Sequence, residues 1–254
     1  MKKNLAIILI LAALCACAKK GPNLPGQLKP GSPEYIMNQG LYYLNEGNLA
    51  VAESKLEQAL KKKPGLEGAL NGLGLVYMYK QEFDRAISTF EKLLRLNPKH
   101  ADAHNSLGLI HTEKNRYDKA KEHLLVAANM KNYKTPENAY VNLANLELRF
   151  NNLAAAQRYI EKALQANDRF APVFNVLGII AERRNQLPAA LKYYERAQSI
   201  LTHDDINLMI NVGRVQAKMG HKRQALDILE RALALAQSEV IKDHIRATIK
   251  KIEL

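Results

Sequence analysis

The chain has 254 residues, 47% of them hydrophobic, with no Trp, two Cys and a formal net charge of +12. Plentiful Ala and Leu with few aromatics favour helices packed through small side chains over a β-sandwich or barrel. Lys and Arg are scattered, with no dense basic run interleaved with aromatics, so a nucleic-acid partner is not expected.

The first predicted element is an address. Lys2 and Lys3 precede an unbroken apolar run over residues 5–18. Fourteen residues are too few to span a bilayer, which needs about 20. The run fits the hydrophobic core of a secretory signal over residues 1–16. Its end, Leu14-Cys15-Ala16-Cys17, resembles a bacterial lipobox, with an aliphatic residue three before the modified Cys and a small one directly before it. Cys17 meets both conditions; Cys15 would place Leu14 where a small residue is required. The resemblance implies acylation of Cys17, and acyl chains on one Cys make a stable anchor at about 0.8 kcal/mol per buried CH₂. Ala18 stands where Asp would mark retention at the inner membrane, so the resemblance implies the periplasmic face of the outer membrane. Residues 17–32 follow, rich in Pro and Gly and without apolar periodicity, and read as a tether.

From residue 33 the chain repeats. Small residues recur at Gly40, Gly74, Gly108, Ala144, Gly178 and Gly213, at spacings of 34, 34, 36, 34 and 35. Twelve residues after each stands an Ala: Ala52, Ala86, Ala120, Ala156, Ala190 and Ala225. Seven further on are Ala59, Leu93, Ala127, Ala163, Ala197 and Ala232, with a bulky residue in between: Leu56, Phe90, Leu124, Ile160, Tyr194 or Leu229. Small residues permit close approach of two antiparallel helices, and the bulky ones are expected to fill the gap to the next hairpin. Gly47, Gln81, Asn115, Asn151, Asn185 and Gly220 fall at the turns, and Pro64 and Pro98 close the first two units.

This pattern resembles the tetratricopeptide repeat, a helix–turn–helix unit of 34 residues. The resemblance implies an all-α, right-handed α-solenoid of six hairpins, over about 33–66, 67–100, 101–134, 137–170, 171–204 and 206–238, capped by an amphipathic helix at 239–252. The repeat domain as a whole is expected to fill residues 33–254.

No residue set for catalysis or for a cofactor emerges. Gly72-Leu73-Gly74 falls mid-helix and is read as helix contact. His100, His104 and His111 cluster in the third repeat, but His104 and His111 occupy packing positions, so no metal is expected. The inner face of the first helices is the candidate site for a protein partner, carried by Met37, Leu41, Leu44, Asn71, Leu75, Met78, Asn105 and Leu109. Toward the C-terminus that face turns charged, with Arg149, Glu182, Arg183, Arg214 and Lys218. An apolar groove suits an amphipathic or extended protein segment. No small-molecule substrate is expected.

The lipobox, the tether and six such repeats together resemble the type IV pilus pilotins. That resemblance implies a non-enzymatic lipoprotein that helps secretin subunits reach the outer membrane and multimerise. The alternative is an adaptor for peptidoglycan hydrolases or for an exopolysaccharide export machine.

Overall fold

A computed structural model describes residues 28–253 of the chain. Cys17 and most of the expected tether lie outside the described residues. Among the described residues there are thirteen α-helices and no strand. They run α1 Pro33–Asn45, α2 Leu49–Lys62, α3 Glu67–Tyr79, α4 Phe83–Leu96, α5 Ala101–Glu113 and α6 Tyr117–Ala128. Then come α7 Pro136–Arg149, α8 Leu153–Ala166, α9 Ala171–Arg183, α10 Leu187–Ile200, α11 Ile206–Lys218, α12 Lys222–Leu235 and α13 Glu239–Glu253. The chain divides into two compact units, one ending at Ala139 and one beginning at Tyr140.

Local chemistry sets the helix ends. Ser32 caps α1, its Oγ accepting from the Tyr35 N–H at 3.2 Å, with Pro33 at the first helical position. Asp205 caps α11 by accepting from the N–H groups of Asn207 and Leu208. Lys63 and Asn97 are held extended before Pro64 and Pro98, which ends α2 and α4. At the six turns inside the hairpins, Gly47, Gln81, Asn115, Asn151, Asn185 and Gly220 all have positive φ. Gly and Asn tolerate that conformation; Gln81, at φ 61, is the exception. Gln81→Gly is expected to stabilise the N-terminal unit by about 1 kcal/mol, read as a higher urea midpoint at unchanged slope.

In the N-terminal unit, α1 pairs with α2, α3 with α4 and α5 with α6; α2 packs on α3 and α4 on α5, while α1 touches α3 and α3 touches α5. In the C-terminal unit α9 pairs with α10 and α11 with α12, and α8 packs on α9, α10 on α11 and α12 on α13. Side-chain size explains the closeness within a hairpin. A Cβ added at Gly40, Gly74, Gly108, Gly178 or Gly213 would fall 2.7, 2.6, 2.5, 2.3 or 2.7 Å from Leu56, Phe90, Leu124, Tyr194 or Leu229. Each bulky side chain therefore sits on the glycine of its own hairpin, a contact that adds to the expected filling of the gap to the next one. Leu56 does both, since it also lies against Gly72 of α3. Ala52, Leu56, Ala59, Ala86, Phe90 and Leu93 are fully buried, as are their counterparts in the later hairpins.

The last helix closes the C-terminal unit. Ile241, Ile245, Ile249 and Ile252 pack against Met209, Ile210, Leu229, Ala232 and Ala236. Its outer side carries Lys242–Glu239 and Arg246–Asp243 pairs. No described helix is long and apolar enough to cross a membrane.

Candidate functional site

The inner-face residues of the N-terminal unit fall into two groups. Met37, Leu41, Leu44, Asn71 and Leu75 are half-buried, whereas Met78 and Leu109 are 4% exposed and Asn105 1%. The cause is packing between consecutive first helices. Met37 Sδ would meet a Cβ on Gly68 at 2.8 Å, and Leu41 Cδ2 one on Gly72 at 2.7 Å, so α1 settles onto a glycine seam of α3. Gly72 thus serves helix contact, as read from its place mid-helix. Asn71 Oδ1 is buried at the same seam without a hydrogen-bond partner. The accessible part of the face is consequently narrower than its sequence positions imply: Met37, Leu41, Leu44 and Leu75 offer apolar surface, Met78, Asn105 and Leu109 almost none.

In the C-terminal unit the charged positions are paired with one another. Glu182 on α9, 7% exposed at its side chain, accepts from Arg214 Nε and Nη2 at 2.8 and 2.7 Å and from Lys218 Nζ at 2.8 Å, both on α11. The Tyr194 hydroxyl donates to the same carboxylate at 3.1 Å. Burial pushes the Glu182 carboxyl up, but the hydrogen bonds from Arg214 and Lys218 and their charges outweigh it and hold it at about 2. Asn211 Nδ2 donates to Asn175 Oδ1 at 2.9 Å, and Arg214 donates back to Asn211 Oδ1 at 3.0 Å. Arg183 donates to the Leu148 carbonyl. These groups join successive first helices and present less free charge than the sequence implies.

A cleft of about 550 Å³ lies between α10, α11 and α12, floored by Leu208, Met209, Val212 and Ile228 and rimmed by Gln198, Gln216 and the Arg231–Asp204 pair. Sequence reasoning did not single it out, because its walls come from separate helices with no shared motif.

The histidines of the third hairpin are arranged differently from their sequence order. His100 caps α5, its Nδ1 accepting from the Ala103 N–H at 3.3 Å. His104 faces His123, with their Nδ1 atoms 3.0 Å apart, and the His111 ring stacks on His123 with centroids 5.5 Å apart. His123 lies nineteen residues beyond His104 on the opposite helix, and only the antiparallel pairing of α5 with α6 brings it in. Among the described residues no group of three or more His, Cys, Asp or Glu is arranged to hold a metal ion.

Comparison with known proteins agrees with the repeat pattern. Residues 71–134, 137–169 and 169–238 each match a family model described as tetratricopeptide repeat. A search of curated proteins finds no match to the sequence. Among solved structures, the chain is similar to PilF of Pseudomonas aeruginosa at 22% identity and a TM-score of 0.67, over 85% of this chain and 97% of that one. It is similar to PilW, a type IV pilus biogenesis factor, at 20% identity and a TM-score of 0.70, over 84% and 97% of the two chains. It is also similar to a chain of the APC/C hetero-tetramer Cut9–Hcn1, at 19% identity and a TM-score of 0.77, over 99% of this chain and 46% of that one.

Proposed function

We propose that this chain, an array of tetratricopeptide repeats, is a lipid-anchored pilotin of type IV pilus biogenesis that binds secretin subunits at the outer membrane and promotes their multimerisation. The observation that carries the reading is the extent of the fold likeness to PilF and PilW, which takes in 97% of each of those chains. The lipobox at Cys17 and the apolar inner face of α1 and α3 support the same reading. The protein acts by binding: a half-buried apolar strip on rigid helices can hold a partner segment.

Leu75 provides the test. It is half-buried on the inner face, whereas Met78 belongs to the core and would unfold the hairpin if charged. Leu75→Asp is expected to abolish secretin multimers, seen as loss of the heat-resistant high-mass band, while circular dichroism reports an intact helical array. Undiminished multimers with Leu75→Asp would sink the contact assignment. A separate expectation concerns the anchor. Cys17→Ser is expected to move the protein from the membrane pellet to the soluble fraction, and a variant still pelleting with membranes would refute lipidation at that residue.

A further inference from the structure

The third hairpin carries three imidazoles that the binding function does not use, His111 buried and His104 and His123 half-buried. Their hydrogen-bond chain has one consistent assignment. The Pro98 carbonyl, 3.2 Å from His104 Nε2, can only accept, so His104 Nε2 carries hydrogen. Neutral His104 then has a bare Nδ1, and the contact at 3.0 Å requires His123 Nδ1–H to donate to it. His123 Nε2 is therefore bare. The His123 ring lies between its neighbours, 5.2 Å from the His104 centroid and 5.5 Å from that of His111. His111 is 5% exposed, and its Nδ1 is buried with no partner.

We propose that His104, His111 and His123 form a proton-sensitive catch, which holds α5 and α6 together while the rings are neutral and loosens the third hairpin when they are charged. A second proton on His104 can go only to Nδ1. With one charge on the pair, His123 can hold its hydrogen at Nε2 and accept at Nδ1, so the bond survives. Once His123 is charged too, two N–H groups stand against each other across 3.0 Å and that hydrogen bond between the helices is lost. A charged His111 would carry hydrogen on both nitrogens, leaving Nδ1–H buried without an acceptor. A charge on His123 would stand between two rings in a half-buried setting.

The surrounding charges are mixed. Glu122 on α6 and Glu91 on α4 favour protonation of His123, and Glu122 favours that of His104 and His111. Arg116, Lys119 and Lys114 oppose it at His111, as His100 does at His104. Burial is the largest influence on all three and lowers them, His123 to about 4. Each folded value lies below the unfolded value of 6.5, so the unfolded hairpin binds more protons in between. The stabilisation is complete above pH 6.5 and is lost as pH falls from 6.5 toward 4.

The test is amide hydrogen exchange on the full chain at pH 7.5 and 5.0, corrected for intrinsic rates, with imidazole titration by NMR. Protection in α5 and α6 is expected to fall on the order of tenfold or more relative to α1–α4, with His123 titrating well below 6.5. In His123→Phe, which keeps the ring and loses the titration, the difference between pH 7.5 and 5.0 is expected to shrink. If the three rings titrate near 6.5, or if α5 and α6 follow the same pH dependence as α1–α4, the catch does not exist. The titration and exchange on the unaltered chain decide the matter even if the variant does not fold.

Discussion

Gly178→Ala is expected to destabilise the C-terminal unit by about 3 kcal/mol. The added Cβ would lie 2.3 Å from Tyr194 Cε1 and 2.6 Å from Cδ1. Tyr194 is fully buried and its hydroxyl is tied to Glu182, so the ring cannot swing clear without losing that bond. The helices α9 and α10 must separate instead. Two controls isolate the cause. Gly65→Ala meets nothing closer than Leu96 Cδ1 at 3.7 Å and should be close to neutral. Pairing Gly178→Ala with Tyr194→Ile reproduces the combination of Ala144 and Ile160, both fully buried, that the fourth repeat carries at the same positions. The double variant should recover about half of the loss, the remainder reflecting the missing hydroxyl. Urea unfolding of the three variants measures this. A Gly178→Ala midpoint equal to that of the parent would show that α9 and α10 do not depend on the glycine contact.

Glu182→Gln is expected to cost about 2 kcal/mol, chiefly in the joint between α9 and α11. The change keeps the shape and hydrogen-bonding reach of the side chain but removes the charge that answers Arg214 and Lys218. Full burial of the pair would make the loss larger. Arg214 and Lys218 keep 37% and 50% of their side-chain surface in water, which recovers part of their solvation. The pH dependence has a definite sign. The folded carboxyl sits at about 2, below its ordinary 4.5, so its stabilisation is present above 4.5 and is lost as pH falls through 4.5 toward 2. The stability gap between parent and variant should therefore be constant from pH 7 to 5 and close on acidification. A gap unchanged at pH 3 would mean that the carboxylate charge is not what joins the helices.

These two sites and the histidine cluster show where the sequence was informative and where it fell short. The hairpins were legible because their signals are local and repeated. A glycine or alanine, an alanine twelve residues on and a bulky residue between two small ones recur in register, and each Gly, Gln or Asn at a turn adopts positive φ. Proline marks two helix ends because it forces an extended conformation on the residue before it. The apolar side of α13 was legible for the same reason, its isoleucines returning at helical spacing.

What escaped the sequence depends on partners far along the chain. Met78, Asn105 and Leu109 hold inner-face positions like that of Leu75, yet they are buried and Leu75 is only half so. Likewise, nothing near Met37 or Leu41 in sequence announces that they settle on Gly68 and Gly72 of α3. Glu182 reads as a free groove charge until α11 delivers Arg214, thirty-two residues later. His123 joins His104 only through the antiparallel return of α6. The sequence by itself determined the helices, their turns and their pairing into repeats, because backbone conformation and close approach are encoded within one 34-residue period. Only the tertiary structure decided which side chains stay accessible and which charges are answered, because burial and pairing are set by stacking one repeat on the next.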